Sequence, residues 1–166
     1  MDQQTRKPLP NDKGILLDKD SGYEVFSHDI MRTVFPRIFQ DANDLYNAKG
    51  MKKKPQIRDA ALFYFLLLSY TNGVRMKANG EPNEKFGACW LSYPEITKRL
   101  RIDKSRIVWL AKILEENGLI RKEKVSVNMR WEVRYFPSWA PNVSDDGYLM
   151  DENGERIAPE SELYLP

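Results

Sequence analysis

Five bases fall within nine residues, Lys98, Arg99, Arg101, Lys104 and Arg106, with Ser105 between the last two. Guanidinium and ammonium groups at that density suit phosphate oxygens, and an Arg fork or a Ser hydroxyl can also address the edge of a base. The last two bases open "DKSRIVWLAKILEENGLI" at 103–120, which starts and stops like a helix while its charges run against the helix dipole. Acids are favoured in a first turn and bases in a last, yet here Lys104 and Arg106 come first and Glu115 and Glu116 last. Each exposed misplaced charge costs roughly 0.3–1 kcal/mol, so the two bases need a compensating partner. Catalytic chemistry has little to work with. His28 is the only histidine and has no nucleophile beside it, Cys89 falls in an apolar stretch, and no glycine loop could cradle a phosphate. No catalytic residue, metal ligand set, cofactor or small-molecule substrate is expected.

The elements that must position these bases follow from periodicity. Residues 1–26 carry Pro8, Pro10, Gly14 and Gly22 among charges and read as a mobile arm. Residues 27–57 hold a helix, with Pro36 in a first turn, apolar Ile38, Phe39, Ala42, Leu45 and Tyr46, and a stop at Gly50, followed by the basic linker "MKKKPQ". The next helix, from Asp59 through "ALFYFLLLSY", is apolar on nearly every side and reads as buried all round. A long polar loop leads to "FGACWL" at 86–91, which reads as a short strand. Ser92 and Glu95 form a reciprocal capping pair for "YPEITKRL", Asp103 caps the following helix, and Asn117 with Gly118 ends it. Ile107, Leu110, Ala111 and Leu114 make its inward stripe, and "IRKEKVS" and "WEVRYF" around "VNMR" read as a β-hairpin.

With 166 residues and 42% apolar composition, the chain suits one domain with appendages. The formal charge is +2, but residues 138–166 hold seven acids and only Arg156, so removing their −6 leaves +8 on residues 1–137. A basic body with an acidic tail is expected of a nucleic-acid partner or an intramolecular clamp. One cysteine allows no internal disulfide, the longest apolar run is too short for a bilayer, and the N-terminus has no apolar signal stretch. A cytoplasmic protein without a membrane partner is the simplest reading.

The stretch "SYPEITKRLRIDKSRIVWLAKILEENGLIRKE", with an apolar helix before it and a hairpin after it, resembles the winged helix-turn-helix DNA-binding superfamily over about residues 58–137. Arg101 departs from the family pattern, standing where Gly is frequent, and Thr97 replaces a usual Ala. More loosely, the order of elements looks like the N-terminal DNA-binding domains of Gram-positive plasmid and phage replication initiators. The resemblance implies a mainly α fold with a small β-hairpin (α+β), an extra N-terminal helix and an acidic C-terminal tail over 138–166.

It also implies roles. The second helix of such a motif enters the major groove by its N-terminal residues, which makes Arg106 the first choice for base reading, with Lys104 and Ser105 divided between bases and phosphates. Lys98, Arg99 and Arg101 suit phosphate contacts that set register. In the hairpin Lys122 and Lys124 share a face, and Asn128 and Arg130 lie at or near the tip, where Arg130 could reach a minor groove. The plain alternative for all of these is a solvated face, and for the two lysines an edge that discourages strand pairing. Trp109 and Ile113, one turn apart and off the inward stripe, are read as interface residues against the hairpin, the N-terminal helix or a second subunit. "DDGYLMDENGER" lacks calcium-loop spacing and reads as a turn or flexible tail, whose acids could compete with phosphate for the basic face.

The expected function is therefore sequence-specific binding of double-stranded DNA, as a homodimer through the N-terminal helix or the Trp109 face. Its setting would be initiation or control of plasmid or phage replication, or transcriptional regulation. The alternatives are a winged-helix protein-interaction module anchored by Trp109 and Ile113, and a nonspecific accessory protein for DNA transfer.

Overall fold

A computed structural model describes residues 26–166. The arm expected over residues 1–26 lies outside them, save Phe26, whose ring meets Phe65 edge-on at 5.0 Å. Four helices and one two-stranded antiparallel hairpin make a mixed α+β fold: α1 (Phe35–Ala48), α2 (Asp59–Ser69), α3 (Tyr93–Leu100), α4 (Lys104–Glu116), β1 (Ile120–Val127) and β2 (Arg130–Pro137). A π-helical turn, Ile30–Val34, feeds α1 and closes with the Phe35 N–H donating to Ile30 O. That wider turn sits where the ring of Pro36 would otherwise press on the preceding turn of an α-helix.

The core forms where the apolar faces of α2 and α4 meet β2 and α1. Phe63, Tyr64, Leu67 and Leu68 of α2 pack with Ile107, Leu110, Ala111 and Leu114 of α4, all buried. Each Phe, Leu or Ile among them contributes about 1.5–3 kcal/mol when fully buried. The expectation that α2 is buried all round is corrected, because Leu62 is 58% exposed and Phe65 and Leu66 are half-buried. One face of α2 has no element over it among the described residues. The stretch 86–91 does not form a strand either. It touches β2 at one antiparallel bridge, where Cys89 N–H donates to Tyr135 O at 2.7 Å and Tyr135 N–H returns to Cys89 O at 2.8 Å. Burial pushes the Cys89 thiol up to about 11, so it stays protonated and inert. The preceding loop is no open coil, because Lys77 N–H to Glu81 O and Asn83 N–H to Arg75 O, both 2.8 Å, fold residues 75–83 into a small exposed arm.

The largest departure is the C-terminal segment. Read as a turn or flexible tail, it instead docks against α1 and α4 and completes the core: Leu149, Leu163 and Tyr164 are buried, with a short 3-10 helix over Ser161–Tyr164. Tyr46 Oη donates to Tyr164 O at 2.7 Å, and Arg37 donates to both Tyr164 Oη at 3.1 Å and Gly147 O at 3.2 Å. Gly147, at φ +87°, lies so close to the π-turn that a Cβ there would stand 2.6 Å from Thr33 O. Its acids misled, because seven of them dominate a segment whose few apolar residues carry the docking.

Tyr164→Ala would open a cavity between α1 and α4 and remove the hydroxyl that Arg37 and Asn117 share, while the backbone carbonyl that accepts from Tyr46 stays. It is expected to lower unfolding stability by about 3 kcal/mol or more, read from urea denaturation of the purified protein, whereas an undocked tail would leave the midpoint unmoved.

Candidate nucleic-acid interface

The turn between α3 and α4 is built from two caps. The Glu95 carboxylate accepts from the Ser92 N–H at 2.8 Å and the Ser92 hydroxyl at 2.7 Å, fixing the start of α3. Asp103 Oδ1 accepts from the Arg106 N–H at 3.0 Å and from the Ser105 hydroxyl, fixing the start of α4. The Ser105 hydroxyl first and the Arg106 N–H second hold the Asp103 carboxyl below its usual range, so α4 begins on a carboxylate. Between the caps Arg101 takes the left-handed conformation, φ 57° and ψ 36°, and Ile102 turns inward. The turn thus has the shape for which Gly is common, and Arg101 bears the steric cost.

Around α4 the side chains divide by angle. Lys104, Ser105, Val108, Lys112 and Glu116 are exposed, and Lys104, Val108 and Lys112 follow one another at spacings of four. The strip is flanked by the hairpin on one side, where Lys122 Nζ meets Glu115 Oε2 at 2.8 Å. On the other side a cleft of about 910 Å3 separates Ser105, Val108, Trp109 and Lys112 from residues 156–166 of the C-terminal segment. Lys104 Nζ stands 5.4 Å from the Tyr93 ring centre and has no ion pair among the described residues.

Arg106 does not belong to that strip. Two residues past Lys104 it points back toward α2, where it forms an ion pair with Asp59 and a 3.5 Å hydrogen bond to Gln56 O. The misplaced charge is compensated inside the protein, so Arg106, expected as the first base reader, is engaged by Asp59 rather than free on the open strip. Ile113 is corrected: it is fully buried in the core, not an interface residue. Trp109 is half-buried, and its indole N–H donates to Leu163 O at 3.2 Å, so the face expected to meet a second subunit is covered by the chain's own C-terminal segment.

The remaining bases sit as follows. Lys98 and Arg101 are exposed without ion pairs among the described residues. Arg99 is exposed but held, with Nε donating to Tyr70 Oη at 3.0 Å and the guanidinium 4.8 Å over that ring. In the hairpin Lys122 pairs with Tyr135 and Lys124 with Val133, so both lysines share the face that turns toward the body, as their spacing implies. Lys122 is engaged by Glu115 there, while Lys124 is exposed. Asn128 and Met129 form the two-residue tip at φ 50° and 61°, and Arg130 opens β2 beside them, exposed. In the linker, Lys54 is spent on Asn43 and Asn47 of α1, at 2.7 and 2.6 Å.

Val108 and Lys112 are the members of the strip that the sequence reading missed; both lie opposite the inward stripe, and extending the four-residue spacing from Lys104 finds them. Among the described residues no cluster of His, Cys, Asp or Glu is arranged to hold a metal ion, and no helix is long and apolar enough to cross a membrane. No family model, curated protein or solved structure matches the chain.

Arg101→Gly is expected to raise stability by about 1 kcal/mol, because the left-handed turn is unstrained for Gly. Differential scanning calorimetry checks it; an unchanged or lower midpoint would mean that the Arg101 side chain holds the turn together.

Proposed function

We propose that the chain is a winged helix-turn-helix protein that binds double-stranded DNA with sequence preference, α4 lying in the major groove and the hairpin acting as the wing. The observation that carries this reading is the strip Lys104, Ser105, Val108 and Lys112 on one open face of α4, continued by the unpaired Lys98 and Arg101 at the preceding turn. The bridge of Cys89 to β2 supports it too, since it ties the stretch before α3 to the hairpin and fixes the hairpin beside α4. Lys104 and Ser105 address base edges, and Val108, 46% exposed, offers the apolar contact that a thymine methyl prefers. Lys98, Arg99, Arg101 and Lys112 take phosphates, and Asn128, Arg130 and Lys124 meet the backbone or minor groove beside the wing.

The setting that the resemblance implies is cytoplasmic: initiation or control of plasmid or phage replication, or transcriptional regulation. A homodimer on paired half-sites remains part of the proposal, now through the open face of α2 or the outside of α1, because Trp109 is occupied. The protein-interaction reading keeps only Trp109, half-buried at the edge of the cleft, since Ile113 lies in the core. The nonspecific accessory reading differs from the preferred one in a single respect, the absence of an enriched site.

The test is fluorescence anisotropy with a random pool of labelled duplexes across salt concentrations, followed by sequencing of the retained DNA. One enriched motif supports the proposal, binding without enrichment selects the nonspecific reading, and no binding at low salt overturns DNA binding altogether. Lys112→Ala is expected to flatten the log–log salt dependence by about 0.9, one phosphate contact. Arg106→Ala is expected to leave that slope unchanged and to cost about 1 kcal/mol of stability through the stranded Asp59.

A further inference from the structure

Along the body-facing side of β2, exposure rises toward the tip: Tyr135 is buried, Val133 half-buried and Trp131 76% exposed. The hairpin outruns the core, so Trp131 has no core beneath it. Across from it stand Trp90, 40% exposed, and the Tyr93–Pro94 start of α3, and the two walls enclose a cleft of about 760 Å3. A bare tryptophan facing a second aromatic wall across an open cleft does not stabilise the fold, since neither ring is removed from water by the other.

The fringe of the cleft is cationic. Lys85 Nζ lies 5.1 Å from the Trp90 ring centre, Lys104 Nζ lies 5.4 Å from that of Tyr93, and Arg130 lines the mouth. Glu132 is the one acid among the described lining residues, and Arg134 Nε pairs with it at 3.0 Å. Glu95, near Trp90, spends its carboxylate on Ser92. Flat aromatic faces between unneutralised cations match a ligand that alternates flat apolar rings with negative charges, which is the chemistry of unpaired nucleotides.

We propose that this cleft is a binding site for single-stranded DNA, whose bases stack on Trp131 and Trp90 while its phosphates meet Lys85, Lys104 and Arg130. It differs from the duplex-reading strip in its aromatic walls and in substrate form, sharing Lys104 at the boundary and Arg130 at the hairpin tip. A protein holding both sites could engage a duplex and an adjacent unpaired strand together.

The probe is a fluorescein-labelled oligothymidylate of about 12 nucleotides, a length within single-strand site sizes, titrated into the full chain at low salt. Saturable binding with quenching of tryptophan emission is expected. Trp131→Ala should weaken it about tenfold or more, Trp131→Phe should retain most of it, and Val108→Ala and Lys112→Ala should leave it unchanged. Circular dichroism melts of each variant confirm folding, and Trp90→Ala gives a second reading from the opposite wall. Equal affinity for the parent, Trp131→Ala and Trp90→Ala would mean that surface cations alone hold the strand, and would overturn the site. Absence of oligothymidylate binding would overturn it too, leaving the aromatic walls to a protein ligand. Duplex binding measured in parallel separates this proposal from the first: either can fail while the other stands.

Discussion

Tyr164 is wedged between α1 and α4, and the arrangement of the whole molecule depends on how it is held. Its carbonyl accepts from Tyr46 and its hydroxyl from Arg37 and lies 3.4 Å from Asn117 Oδ1, so one side chain near the C-terminus links α1 to the end of α4. Arg37 is the hub. It also donates to Asp41 and to Gly147 O, and its guanidinium lies 4.2 Å from the Tyr148 ring centre. Asp41, two oxygens and a ring face replace most of the water around this guanidinium, although its Nη2 is buried without a hydrogen-bond partner, so removing any of the others leaves the charge still more poorly solvated. Asn117 joins the same network, its amide donating to Ile113 O at 2.8 Å. The helix stop of α4 and the docking of the C-terminal segment are therefore one structure.

That clamp decides what α4 can present. Its inner face meets α2, Arg106 is drawn to Asp59, Trp109 lies under Leu163, and Glu115 holds Lys122 of the hairpin. What remains open is a strip one residue wide in places, and its residues are two lysines, a serine and a valine, with Glu116 at the far end. The reversed charge order of the helix thus has two separate causes. Arg106 joins α4 to the N-terminus of α2, where Asp59 sits favourably for that helix dipole, and only Lys104 faces outward. Asp103, ionised at the cap, offsets part of the cost of both bases.

Much of this was legible from local pattern, and what was not has a physical reason in each case. The helices, the caps at Ser92 and Asp103, the stops at Gly50 and Gly118 and the hairpin are written in spacings of two, three and four residues, which act within one element. The docking of Leu163 and Tyr164 rests on contacts with residues up to 127 positions away, and no local period encodes them. Ile113 was misplaced because the inward stripe of α4 was drawn too narrow: the helix is buried from two sides, so apolar contact spans more than the usual arc. The ion pair of Arg106 with Asp59 was not legible because it depends on the angle of residue 106 on α4 and on a partner 47 positions away. Arg101, standing where Gly is frequent, argues against a left-handed turn, yet it adopts one, between the buried Ile102 and the end of α3.

The docked C-terminal segment changes the electrostatic problem as well. A tethered acidic tail would sweep over the basic face and compete with any anion there, with an effective concentration set by its length. A docked one holds its charges at fixed places: Asp146 is paired with Arg156 at 2.8 Å, Glu162 approaches Lys49 at 4.0 Å, and Glu160 and Glu162 line the cleft beside Ser105 and Lys112. At physiological salt the field of an exposed charge fades within about 8 Å, so these two glutamates act chiefly on the side chains that line the same cleft, Ser105 and Lys112 among them. An incoming polyanion would thus meet opposition along the side of α4 that faces this cleft. The acids bias the direction of approach, and they do so only because Tyr164 holds the segment in place.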